Sequence, residues 1–232
     1  MSELKAAVLP VTAFQQNCTL LWDEPSKQGA VVDPGGDVVD ILNAIAKVDI
    51  RPECILLTHG HMDHAGGAAA LKDALEEQTG GPVPILGPDE RDEFLLAGLE
   101  AQAAAFGMAE TRNVQPDRWL GEGDTVSFAG HHFEVLHCPG HTPGHIVFIN
   151  RAVRFGLVGD VLFRGSIGRT DFPYGDTDAL LRSIRDKLLP LGDDVAFICG
   201  HGPGSTLGVE RRSNPFLKSV ASGSPPDSGV PA

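Results

Sequence analysis

Residues 59–64 read HGHMDH, three histidines and one aspartate in six positions. The stretch before them, CILL, is apolar, and the stretch after them, AGGAAALKDAL, is small and then helical in character. Good ligands therefore crowd the place where a strand should turn into a helix. In an extended segment, residues two apart point the same way, so His59 and His61 can grip one ion. Asp63 and His64 follow as the helix begins and can reach a second ion, and the helix N-terminus favours the Asp63 carboxylate.

A histidine-rich polar turn is the plain alternative, and the rest of the chain argues against it. FEVLHCPGHTPGH runs from a strand through a Pro-Gly turn to His141, FGLVGD ends at Asp160, and VAFICGHG ends at His201. With CILLTHGH these make four apolar strands that end at a His or Asp beside a glycine, which lets backbone approach closely. Any one of these residues alone reads better as a cap or a turn former; their conjunction reads as a metal site. His131, His132 and His137 do not join it. The first two follow Gly130 in an expected hairpin turn and read as surface residues, and His137 lies inside a strand.

The elements that must position these residues alternate. KAAVLPV, NCTLLW and GAVV are short and β-prone, and DVVDILNAIAKV carries Val38, Ile41, Leu42 and Ile45 at helical spacing. CILLT reads as a strand buried on both faces. PDERDEFLLAGLEAQAAAFG predicts one helix that starts at a proline with acids and stops at Gly107. In the second half DTVSF, HHFEVLHC, HIVFI, RFGLVG and VAFIC read as strands, and DTDALLRSIRDKLLPL as a helix. Two halves, each of strands then helix, suggest two sheets face to face with helices outside. The expected division is a domain over residues 1–220 and a mobile Pro-, Gly- and Ser-rich tail over 221–232.

The chain has 232 residues, 42% of them hydrophobic, and a formal net charge of −13, which disfavours a nucleic-acid partner. No apolar run approaches the roughly 18 residues a membrane span needs. The opening MSELKAAVLPV lacks the pattern of a secretory signal. Cys18, Cys54, Cys138 and Cys199 each sit in an apolar stretch and read as buried thiols, so a cytoplasmic location is expected.

THGHMDHAGG, CPGHTPGH, VGD and GHG, in this order, resemble the metallo-β-lactamase fold hydrolases, and within them the short bacterial glyoxalase II-like (hydroxyacylglutathione hydrolase-like) enzymes. The resemblance covers roughly residues 5 to 217. It implies a four-layer αββα sandwich of two mixed β-sheets. It also implies that His59, His61 and His141 bind a first divalent ion, that Asp63, His64 and His201 bind a second, and that Asp160 bridges both. Asp33 in VVDPGG and His145 match positions that orient ligands. Zinc is the first expectation for the ions, with iron and manganese compatible with the same donor set.

By the same resemblance the reaction is hydrolysis of a thioester of the S-lactoylglutathione type by a metal-bridging hydroxide. The thiolate product leaves without a strong general acid. Arg164 and Arg169, in VLFRGSIGRTDFPYGD, are candidates for holding the carboxylates of glutathione, unless Asp171 or Asp176 engages them to fix the loop. Arg211 and Arg212 read as helix-end residues. The longer glyoxalase II enzymes carry a helical C-terminal extension, whereas the residues after His201 here read as one short helix and the tail. An alternative is a glutathione persulfide dioxygenase with a single iron, whose loop shares GRTDF but which carries Cys where this chain has His145. A β-lactamase is disfavoured because those enzymes place Cys or Ser at the position of Asp160. A non-catalytic metal-binding protein is a further alternative, but seven ligands with room for water read as an open catalytic site.

Overall fold

A computed structural model describes residues 2–106 and 111–221. The first sheet has five strands in chain order: β1 (Leu4–Val11), β2 (Gln16–Asp23), β3 (Gln28–Val32), β4 (Arg51–Leu56) and β5 (Ile85–Leu86). β1, β2 and β3 pair antiparallel, and β3, β4 and β5 pair parallel. Parallel pairing needs a crossover. Helix α1 (Val38–Val48) supplies the first, and α2 (Met62–Ala65) with α3 (Ala68–Thr79) the second.

A 3-10 turn (Glu90–Asp92), α4 (Glu93–Leu96) and α5 (Leu99–Ala105) follow. The single helix expected here is thus broken, first where Asp92 turns inward to full burial and again at Gly98. The expected stop at Gly107 lies outside the described residues.

The second sheet runs β13-β12-β9-β8-β7-β6 and is also mixed. Its strands are β6 (Thr125–Phe128), β7 (His131–His137), β8 (Ile146–Asn150), β9 (Phe155–Leu157), β12 (Ala196–Ile198) and β13 (Ser205–Thr206), with β12 parallel to β9 and the other pairs antiparallel. A small hairpin, β10 (Leu162–Phe163) and β11 (Ser166–Ile167), follows β9. Helix α6 (Thr177–Ser183) continues through a π turn at 184–188 and a 3-10 turn at 189–191, where Pro190 removes a donor. α7 (Leu207–Ser213) and α8 (Pro215–Ala221) end the described chain, so Ala221 closes a helix and the tail beyond it lies outside the described residues.

Period-two alternation sorts the strand side chains into three cores, and three cores make four layers. Ala30, Val32, Cys54 and Leu56 of the first sheet meet Phe133, Val135, Ile146 and Phe148 of the second. On the outer face of the first sheet, Val31 and Ile55 meet Ile41 and Ile45 of α1, Leu71 and Leu75 of α3, and Leu99 of α5. On the outer face of the second, Val147, Ile149 and Phe197 meet Leu180 of α6 and Leu207 of α7. Each such fully buried side chain contributes about 1.5–3 kcal/mol of hydrophobic stabilisation.

All four cysteines are free and buried, as expected. Burial pushes the Cys54 and Cys138 thiols up to about 12. Among the described residues, no helix is long and apolar enough to cross a membrane.

The strand ends that carry the motifs converge at one edge of the sandwich. Asp33 N–H, just past β3, donates to Leu56 O at the end of β4. Gly200 N–H, past β12, donates to Gly159 O, past β9. Asn17 at the start of β2 ties the two sheets together there. Its N–H donates to Gly200 O at 2.8 Å, and its Nδ2 donates to Cys199 O and Gly202 O at 2.9 and 2.8 Å.

Candidate metal centre

β4 delivers the chain to Thr58 and His59, and α2 begins three residues later, with His61 as its N-cap. The sequence-predicted residues come together at this turn. His59 Nε2 lies 3.1 Å from His61 Nδ1, and His141 Nε2 lies 2.9 Å from that same Nδ1. Three imidazole nitrogens thus face one point, and all three side chains are buried.

Their outer nitrogens are engaged elsewhere. His141 Nδ1–H donates to the Arg169 carbonyl at 2.7 Å, which leaves Nε2 with a bare lone pair. His59 Nδ1 lies 3.1 Å from Thr58 Oγ1, and His61 Nε2 lies 2.8 Å from the Tyr174 hydroxyl. Burial lowers all three pKa values, that of His61 to about 3, so the rings are neutral. Neutral imidazoles with converging lone pairs are metal ligands in waiting.

A second group assembles beside the first. Asp63 Oδ2 lies 3.1 Å from His201 Nε2, and His64 Nε2 lies 3.3 Å from Asp160 Oδ1. Asp160 spans the two groups, since its Oδ2 is 3.4 Å from His141 Nε2 and 3.7 Å from His201 Nε2. His64 Nδ1–H donates to Asp33 Oδ2 at 2.9 Å, which aims Nε2 at Asp160. Asp33 is held for this by Thr58, whose N–H and hydroxyl donate to its two oxygens at 2.8 and 2.6 Å.

Burial alone would lower the His64 pKa, but the carboxylates of Asp160, Asp63 and Asp33 raise it well above the ordinary value. Burial would likewise raise Asp160, and His64, His141 and His201 hold it far below the carboxylate range. The group therefore demands a positive charge. His64 Nε2 and Asp160 Oδ1 are both buried without a hydrogen-bond partner, as are Gln16 Oε1 and His145 Nδ1, and of these the first pair faces the two groups of donors, where a cation would satisfy it. The donor set fits divalent cations.

His145 acts from beneath. Its Nε2 accepts the Asp160 N–H at 3.0 Å, and its ring stacks on His59 at 4.6 Å. Glycines admit this density: a Cβ on Gly159 would come within 2.7 Å of His145, and one on Gly200 would run into Asp160 Oδ1 and His64 Cε1.

The groups open into a cleft of about 500 Å³ walled by Phe14, Phe106, Phe163, Phe172 and Tyr174. Arg169 lines this cleft, bidentate on Asp171 at 2.7 and 2.7 Å and with its guanidinium 4.5 Å over the Phe172 ring. Arg164 sits exposed on the β10–β11 turn and is not among the residues lining the cleft. Arg211 and Arg212 pair with Asp193, away from it.

One expectation needs correction. His131 is not a surface residue: it is 7% exposed, with Nε2 2.9 Å from Ser2 Oγ and 3.3 Å from Asp23 Oδ1, because the β6–β7 turn folds onto the N-terminal segment. His132 is exposed, as expected.

Two residues that matter were missed. Asp92, fully buried, accepts from Gly60 N–H (2.9 Å) and Thr142 Oγ1–H (2.7 Å) at Oδ2 and from Gly144 N–H (2.6 Å) at Oδ1. It staples the 59–61 turn to the 141–145 turn. Tyr174 is the other; it is the only tyrosine in the chain, and that rarity was its one sequence signal.

Comparison with known proteins places this geometry. The profile described as the metallo-beta-lactamase superfamily matches residues 11–201. The hydroxyacylglutathione hydrolase GloC of Haemophilus influenzae is 49% identical over 213 residues, covering 91% of this chain and 97% of that protein. Among solved structures, the BLEG-1 B3 metallo-beta-lactamase superposes with a TM-score of 0.82 at 32% identity, covering 92% of this chain and 99% of that one. TTHA1623 in a di-iron-bound form superposes with a TM-score of 0.80 at 37% identity, covering 91% and 100%. The chain belongs to the metallo-beta-lactamase superfamily and is a metallo-hydrolase.

Proposed function

We propose that the chain hydrolyses a thioester of the S-lactoylglutathione type with two divalent ions, zinc first and iron or manganese compatible. His59, His61 and His141 hold one ion, Asp63, His64 and His201 the other, and Asp160 both. The observation that carries this reading is the reach of Asp160 across both groups, with Oδ1 and His64 Nε2 buried and unpartnered. The hydroxyacylglutathione hydrolase GloC is a full-length relative, which supports the substrate class.

The ions would supply Lewis acidity and a water ionised at about neutral pH. The chain's residues do the rest. Asp33 and Thr58 fix the His64 and His59 rings, His145 fixes the Asp160 backbone, and Asp92 holds the two histidine turns at a set spacing. The walls are largely aromatic, and the cleft has the size of small-ligand sites, about 300–1,000 Å³. Arg169 lines the cleft with its guanidinium in a bidentate pair with Asp171, and a carboxylate of the thiol portion would have to share it with that partner. No strong acid is needed for the leaving thiolate, whose conjugate thiol has a pKa of about 8.5.

The single-iron dioxygenase reading needs no second ligand group, and the assembly of Asp63, His64 and His201 favours hydrolysis over it. The test is hydrolysis of S-D-lactoylglutathione by the metal-loaded protein, by the chelated protein and by a His59→Ala variant. Glutathione release that vanishes in both controls is expected. No release from fully loaded protein, with oxygen uptake on glutathione persulfide, would overturn the reading in favour of the dioxygenase.

A further inference from the structure

Each candidate ligand imidazole has a partner on its outer nitrogen, and these partners differ in kind. For His141 and His201 it is a backbone carbonyl, at Arg169 and at Phe14; for His64 it is the Asp33 carboxylate; for His59 it is the Thr58 hydroxyl. For His61 it is the Tyr174 hydroxyl, 2.8 Å from Nε2, reached across 113 residues of sequence. The phenol is held for that contact. Its ring stacks on Phe172 (5.3 Å, 12° between planes), and Phe94 meets it edge-on at 5.3 Å.

The loop that carries it is tied down at both ends. Arg169 O takes the His141 proton, Gly175 N–H donates to Phe172 O at 2.9 Å, and Asp176 N–H donates to Gly140 O at 2.8 Å. Residues 169–176 thus hold two imidazoles from behind while presenting Arg169 to the cleft.

We propose that Tyr174 is a positioning residue: its hydroxyl accepts the His61 Nε2 proton, fixes Nδ1 as the ligand nitrogen, and couples the 169–176 loop to the affinity of the first ion. This rests on the two-ion reading above. With Nε2–H as the donor, the Tyr174 O–H is directed away from His61 and its oxygen lone pair meets the imidazole at 2.8 Å. A hydrophobic strut would need only the ring; the hydroxyl is what the imidazole touches.

Tyr174→Phe removes that oxygen and keeps the stack on Phe172. The measurement is the dissociation constant of each of two Zn²⁺ ions, by competition with a chromophoric chelator, together with the visible spectrum of the Co²⁺-loaded protein. Loss of a partner behind a ligating histidine weakens metal binding about 10–100-fold. The expected result is a loss of that size for one ion, an altered Co²⁺ spectrum, and an unchanged unfolding midpoint of the metal-free protein. Equal affinities and identical spectra in the two proteins would overturn the role of Tyr174 alone. A wild-type protein that takes up no divalent ion would overturn the two-ion reading and this one with it. Weakened binding with an equally lowered metal-free midpoint would assign Tyr174 a structural role and also overturn the proposal.

Discussion

Replacing Asp92 by asparagine should remove a pH-dependent loss of stability and lower activity. The side chain is fully buried, and burial outweighs the donors from Thr142, Gly60 and Gly144, so its carboxyl is pushed up from 3.8 to about 6. In the unfolded chain it ionises near the ordinary value. Below about pH 4 both states hold the proton and the contribution of the neutral form is complete; as pH rises through 6 the native state must release it, and that stability is lost. Each pKa unit is worth about 1.4 kcal/mol, so the ionised carboxylate costs the native state roughly 3 kcal/mol at pH 7.

Asparagine has the shape of the protonated acid and does not titrate. The stability of the variant relative to wild type should therefore rise by roughly 3 kcal/mol between pH 4 and pH 7, or about 6–12 °C in Tm for a chain of this size. Its amide must point a donor at one of the three donors, which loosens the staple between the two histidine turns. Hydrolysis should fall by up to about 10²-fold, the cost of shifting catalytic groups by about an ångström, because the staple sets the spacing of the two turns. Urea unfolding of the chelated proteins across pH 4–7.5 checks the sign. An Asp92→Asn variant less stable than wild type at pH 7, by an amount independent of pH, would refute the argument that burial outweighs the donors.

Three further outcomes follow from contacts described above. Gly200→Ala puts a methyl group into Asp160 Oδ1 and His64 Cε1, so metal analysis should find the second ion lost; full metal content would contradict the placement of that group. Arg169→Ala should raise KM for a glutathione thioester about tenfold, the equivalent of ~1.4 kcal/mol, with kcat retained; an unchanged KM would remove Arg169 from substrate binding. Ellman's reagent should leave all four thiols unlabelled in the native protein and label them in denaturant, because each is buried and Cys199, the least perturbed, is still pushed up to about 11. Rapid labelling of Cys199 without denaturant would show that the Gly200 turn opens.

What was legible in the sequence was local. The HGHMDH run, the glycine-flanked strand ends and the alternation of apolar residues sufficed for the residues that gather at the candidate centre, the longer strands and the layered arrangement, because each is written within about ten residues of chain. What was illegible is long-range or too short to have a period. β10, β11 and β13 have two residues each, and no alternation can be read from two positions. Asp92 sits in a stretch of acids that looks like any helix start, and only the fold brings it to Gly144, 52 residues on. Asn17 is bound to a turn 185 residues away. His131 looked like a turn residue because nothing near it in sequence announces Ser2 and Asp23 as partners.

The candidate ligands are spread along the chain from His59 to His201 and draw on both sheets. At about 5–20 residues per second of synthesis, on the order of ten seconds separate the emergence of His64 from that of His201. During that interval the nascent chain displays HGHMDH without its partners, a histidine cluster for which the general affinity order favours copper and nickel over zinc, iron or manganese. Only when β12 pairs with β9 does Gly200 reach Gly159 and bring His201 to Asp63. The candidate centre is thereby completed by the last strands to be synthesised, so its second group of donors can form only after the second sheet closes.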